Sequence, residues 1–147
     1  MGELVITTLR KEGAPLIRYR THDLSRFMPG ECPCGDKHPR IDTLIGRTDD
    51  MVKVKGVNIY PGQIDDLLKE VDGASSEYQV MIDHLNGKDI MTLFFETEAG
   101  VDKTRIANNV QAYFKMRIGV TIEPKPVAIG ELPRSEKKST RIFDNRY

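Results

Sequence analysis

The sequence predicts an α+β fold, a small antiparallel sheet with two helices, preceded by a β-hairpin and a loop. Three observations predict it. "NIYPGQIDDLLKEVDG" places Ile64, Leu67, Leu68 and Val71 at helical spacing behind Pro61. Two β-rich runs, "EYQVMIDH" and "DIMTLFFETE", flank the turn signal Asn86-Gly87. A second amphipathic run over Asp102 to Ile118 is followed by a last strand. Helix, strand, strand, helix, strand is the order of helices laid on one face of a small sheet.

Each element has its own local warrant. "ELVITTL" is β-branched and apolar, "KEGAP" is a turn, and "LIRYRT" resumes an extended pattern, so the first twenty residues predict a hairpin. From Met28 to Arg40 the prolines and glycines predict a loop, and "GRTDD" (Gly46 to Asp50) is a polar break between two structural units. "MVKVKG" reads as a short strand and turn, and Gly73 stops the first helix. Ile106, Val110, Tyr113 and Phe114 form one face of the second helix, with Gly119 just past its end. The prolines of "VTIEPKPVAI" place the last strand at an edge or bend it.

The totals exclude several classes. The 147 residues carry 22 basic and 22 acidic side chains, a balance unlike the basic excess of a nucleic-acid coat. No stretch approaches the ~20 apolar residues of a membrane span, and no charged-then-apolar leader opens the chain. "MGELVI" has Ile6 where a myristoylation signal wants Ser or Thr. The expectation is a soluble, cytoplasmic protein with no nucleic-acid or membrane partner. Cys32 and Cys34, both within "CPCG", do not make a disulfide framework.

Three stretches could carry chemistry. The tail "ELPRSEKKSTRIFDNRY" holds Arg134, Lys137, Lys138, Arg141 and Arg146; it reads either as a solvated terminus or as a shaped loop aiming a lysine at an anion. In "YRTHDL", Asp23 is either a turn aspartate or an acceptor for two ribose hydroxyls. "GRTDDMVKVKGVNIYPGQID" holds an arginine, a pair of carboxylates, a Gly-centred turn and a helix started by Pro61, and read by itself its spacing also suits a surface linker. A fourth group, Cys32, Cys34 and His38, suits zinc by donor type, although C-x-C is tighter than the usual structural knuckle; the other reading is a pair of reduced surface cysteines. His22 and His84 read as ordinary surface or turn histidines.

Taken in order, these stretches resemble the adenylate-forming acyl-coenzyme A ligases, in particular the phenylacetate–coenzyme A ligase group. That group shows "YRT.D", a "CPCG" loop with a nearby His, "GR.DDM....GVN..P.QI" and "PRS..K..R", and all four stand here in register, across Gly2 to Arg146. The resemblance implies that 1–48 is the end of a large AMP-binding domain and 49–147 a mobile C-terminal domain. It also implies a larger N-terminal domain with a phosphate loop outside these residues, so the expectation is a piece of a longer ligase, inactive by itself.

The resemblance further implies that Asp23 binds the ribose hydroxyls, that Arg47 approaches the nucleotide, and that Asp49 is the hinge. Gly56, Val57 and Asn58 would flank the coenzyme A channel, and Lys138 would be catalytic, with Lys137 standing where the family often has Gly. Substrates would be a small carboxylic acid, ATP with Mg2+, and coenzyme A. A structural Zn2+ on Cys32, Cys34 and His38 would be completed by the N-terminal domain, and a homodimer is left open. Two other readings stand beside this one: a ligand-binding or docking module without chemistry, and an adenylating enzyme with another acceptor.

Overall fold

A computed structural model describes residues 1–134 and 141–146. The chain divides into two compact units, Met1–Met51 and Val52–Tyr147.

In the first unit, β1 (Gly2–Ile6) pairs antiparallel with β2 (Tyr19–Ser25), and β2 pairs antiparallel with β5 (Gly46–Arg47). The expected hairpin forms, but its second strand starts at Tyr19 rather than Leu16. Leu16 is held instead by Thr8: its N–H donates to the Thr8 hydroxyl at 3.0 Å, and its carbonyl accepts the Thr8 N–H at 2.9 Å. The predicted loop after Met28 is closed at its base by a two-residue ladder between β3 (Phe27–Met28) and β4 (Arg40–Ile41).

The second unit opens with a hairpin of β6 (Val52–Val54) and β7 (Val57–Ile59). Asn58 and Ile59, grouped with the following helix by sequence, belong to this strand. The helix α1 (Pro61–Lys69) then begins at Pro61, where the Tyr60 N–H donates to Gln63 Oε1 at 3.0 Å. Its last turn tightens, with Glu70 and Val71 donating three residues back, so the helix ends before Gly73 while Val71 stays buried.

β8 (Ala74–Leu85) and β9 (Lys88–Thr97) form the long antiparallel hairpin through Asn86-Gly87. The helix α2 (Lys103–Ile118) is capped by the Asp102 carboxylate, which accepts from the Thr104 and Arg105 N–H groups at 3.0 and 3.1 Å. Gly119 ends it.

The α+β class holds, and the sheet is mixed in detail. β10 (Glu123–Ala128) adds parallel to β9, and β11 (Ile142–Asp144) adds parallel to β8, giving the order β10-β9-β8-β11. The crossover through α2 returns β10 in the same direction as β9, which a helix-length connection allows. Pro124 and Pro126 sit on an edge strand, where a missing N–H costs no ladder bond on the open side.

Period-two alternation sorts the sheet faces. Tyr78, Val80 and Ile82 of β8 lie opposite Phe95, Leu93 and Met91 of β9. All six are buried with Ile64, Leu67 and Leu68 of α1 and Ile106, Val110 and Phe114 of α2. Both helices therefore cover one face, and Glu96 projects on the other.

The C-terminal edge is held by charge. Arg146 donates to Asp89 at 2.7 Å and to Asp144 at 2.6 and 2.8 Å. Both carboxyls lie below the usual aspartate range: a side-chain hydrogen bond from His84 and then from Arg146 lowers Asp89, and one from Arg146 lowers Asp144. Depressed folded values contribute stability above the ordinary carboxylate range that is lost as pH falls through them. The melting temperature of the chain is thus expected to fall between about pH 5 and about pH 2, and to fall less in Asp144→Asn. Equal acid sensitivity of the two proteins contradicts this linkage.

Candidate functional site

Strand pairing brings together residues far apart in sequence. Asp23 on β2 lies directly opposite Arg47 on β5. Sequence placed Asp23 just past a hairpin; it lies inside the second strand, so its direction is fixed by the ladder. Arg47 Nη1 donates to Asp23 Oδ1 and to the Thr21 carbonyl, both at 3.2 Å. Its Nε and Nη2 clamp the two oxygens of Asp49 at 2.9 and 2.7 Å, with Asp50 at 3.6 Å. That bidentate bond holds Asp49 below the usual carboxylate range.

One cation thus binds a carboxylate on each side of it. Arg47 donates to a single oxygen of Asp23, and the side chains of Asp23 and Arg47 are about a quarter and a third exposed, so both can meet a ligand. Thr21 belongs to this cluster and sequence reasoning passed over it. Its hydroxyl accepts the Asp23 N–H at 3.1 Å, a short-range bond that the T-x-D spacing could have signalled. His22 adopts φ 66° between them, with Nδ1 3.2 Å from the Thr48 hydroxyl.

Gly56 occupies the tip of the β6–β7 hairpin. Lys55 and Gly56 both have positive φ, 51° and 83°, as a two-residue turn matching the strand twist requires. A Cβ on Gly56 would meet nothing within 4 Å, so its surroundings are open. Val57 pairs with Val54, and Asn58, exposed, pairs with Lys53. Lys55 also lines a groove of about 720 Å³ with Lys88 and Asp89 from the Asn86-Gly87 hairpin.

Cys32 and Cys34 are free, with sulfurs 2.8 Å apart. The Cys32 thiol, and then the Asp36 N–H, lower the Cys34 thiol. His38 turns to Asp36, with Nδ1 2.5 Å from Oδ1. No group of three or more His, Cys, Asp or Glu among the described residues is arranged to hold a metal. Two sulfurs suit zinc by donor type, but the donors present do not form a closed set.

Lys137 and Lys138 lie outside the described residues. Arg141, which follows them, donates to Asp65 at 2.7 Å and to the Ser76 carbonyl at 3.2 Å, with its guanidinium 4.8 Å from the Tyr78 ring centroid. No helix among the described residues is long and apolar enough to cross a membrane.

The family model described as the AMP-binding enzyme C-terminal domain matches residues 56–146, and the chain belongs to that family. It is 33% identical to the phenylacetate–coenzyme A ligase of Escherichia coli K12, over 99% of this chain and 34% of that protein. A domain of phenylacetate–coenzyme A ligase from Bacteroides vulgatus is 32% identical with a TM-score of 0.59, covering 67% of this chain and 95% of that one. A 2-hydroxyisobutyryl-CoA ligase in the postadenylation state with 2-HIB-AMP is 29% identical with a TM-score of 0.84, covering 99% and 32%. The chain spans about a third of the length of the curated phenylacetate–coenzyme A ligases it matches.

Since the space at Gly56 is open and only its φ is special, Gly56→Ala should cost about 1 kcal/mol, and Gly56→Asn less. Denaturant unfolding of the two variants checks this. A loss of several kcal/mol for Ala would mean that side-chain crowding, rather than backbone conformation, requires glycine there.

Proposed function

We propose that this chain is the C-terminal portion of an ATP-dependent ligase that joins an aryl-acetate, such as phenylacetate, to coenzyme A. The observation that carries the reading is the pairing of Asp23 with Arg47 across neighbouring strands, at 3.2 Å, by residues of two separate motifs. The ligase names of the relatives support it, as does a structure of the 2-hydroxyisobutyryl-CoA ligase with both 2-HIB-AMP and CoA. So does the first unit's sparse interior. Leu24 is its one buried large apolar side chain among the described residues, whereas Leu9, Ile17 and Phe27 are 93%, 75% and 74% exposed. Fifty-one residues with so little core suit the end of a larger domain.

The reaction has two halves. The carboxylate of the acid attacks the α-phosphorus of ATP, an acyl–phosphate bond forms, and pyrophosphate leaves. The thiol of coenzyme A, losing its proton, then attacks the acyl carbonyl and AMP departs. Asp23 accepts the ribose hydroxyls, and Arg47, already fixed by Asp49, presents charge toward the nucleotide. Lys138 is the point charge that balances the oxygens between which the phosphorus is transferred.

Asp49 is the hinge for a rotation that withdraws Lys138 and brings up Gly56, Val57 and Asn58 for the thiol arm. Mg2+ accompanies ATP. A zinc on Cys32, Cys34 and His38 would need donors from elsewhere, and no step depends on it.

The chain by itself is expected to make no thioester. In the full-length ligase, Lys138→Ala should slow adenylation by ~10²–10³ while thioester formation from supplied acyl-adenylate stays within a few-fold. Lys137→Ala should matter little. Lysine substitutions that leave adenylation intact, measured as acid-dependent pyrophosphate release, would sink the mechanism.

A further inference from the structure

Glu96 is a charged residue that this mechanism does not use, yet it is only 1% exposed. It lies on the sheet face away from the helices, and its acceptors are spent on one stretch of chain. Oε1 accepts the N–H groups of Gly130 and Leu132 at 3.0 and 3.3 Å, and Oε2 accepts from Arg134 at 2.7 Å. A buried carboxylate with three donors is tolerable; without them it is costly. The 130–134 stretch is therefore tied to β9 by a group that can satisfy itself in no other described way.

A second carboxylate joins this stretch to the chain that follows. Glu77 Oε2 is 3.0 Å from Arg134 Nη1, and its Oε1 is 3.8 Å from Arg141 Nη2. Arg141 is anchored independently by Asp65 and by the Tyr78 ring. Its carbonyl accepts the Val80 N–H at 2.8 Å, which starts β11 on β8. Residues 134 and 141 are thus both pinned to the β8–β9 hairpin, through carboxylates on adjacent strands. Between them stand six residues, two of which are Lys137 and Lys138.

We propose that Glu96 and Glu77 are positioning residues, which clasp Arg134 and Arg141 and so fix both ends of the lysine-bearing segment for adenylation. The proposal rests on the ligase reading above and adds to it the source of the lysine's precision. Holding a chain at two points a few residues apart restricts it more than holding it at one. A displacement of about 1 Å at a reacting centre costs on the order of 10²-fold in rate. Glu96, buried beneath this stretch, acts through Arg134 and the backbone.

The test compares half-reactions in the full-length ligase. Glu96→Ala should slow adenylation about 10²-fold and leave thioester formation from supplied acyl-adenylate within a few-fold. Glu96→Gln keeps an oxygen for the two N–H groups and should be less impaired. Arg134→Gln, at a half-exposed side chain that the core does not need, should reproduce the adenylation defect in a folded protein. Equal slowing of both halves would reduce Glu96 to a structural role and overturn the proposal. So would normal adenylation in Glu96→Ala and Arg134→Gln alongside a defective Lys138→Ala. If Lys138→Ala itself adenylates normally, the fault lies in the ligase reading, and the clasp loses its purpose with it.

Discussion

The satisfied burial of Glu96 is the constraint on which the C-terminal end of the chain depends. Its carboxylate sits on the outer face of β9, where exposed polar side chains would be ordinary, and is instead covered by the Gly130–Arg134 stretch. Removing one partner from a buried, hydrogen-bonded charge typically costs about 3–5 kcal/mol. Arg134 is half exposed, so its ion pair alone contributes well below that, and the two backbone N–H groups take a large share. Leu132, buried apart from the main core, adds apolar contact to the same stretch. The path of the chain after β10 follows from one side chain of β9.

The two units solve different problems with the same device. In the first, Arg47 is held by carboxylates on β2 and just beyond β5, which orients a cation without burying it. In the second, carboxylates of the β8–β9 hairpin hold two arginines on either side of a lysine-bearing run. The rigid element is in both cases a strand pair whose register is set by a packed face. Tyr78 opposite Phe95 anchors that register, and Glu77 and Glu96, the neighbours of that pair, point to the opposite side.

Much of this was legible in the sequence where the determinants are local. Pro61, the apolar spacing of Ile64 to Val71, Gly119 and Asn86-Gly87 each act within a few residues, and the elements they predict are present. Pro124 and Pro126 correctly put β10 at an edge. The misses are non-local. Leu16 leaves the strand because Thr8 binds it across the loop, and β11 adds parallel to β8, which no short-range pattern encodes. The motifs named Asp23 and Arg47, but their contact is a property of strand pairing. Glu96 was invisible because "FFETE" alternates like any half-exposed strand, and its donors arrive 34 to 38 residues later.

Amide hydrogen exchange at Gly130 and Leu132 in the 147-residue chain is the most direct measurement of the central claim. Both N–H groups are expected to be protected in the unmodified protein, because each donates to Glu96. In Glu96→Ala that protection should be lost at these two positions while the amides of Val80 and Leu93, deep in the sheet, remain protected. Unchanged protection at Gly130 and Leu132 would contradict the account, since something other than Glu96 would then hold the chain there. Loss of protection throughout the sheet would contradict it too, because Glu96 would then be supporting the fold rather than placing one segment.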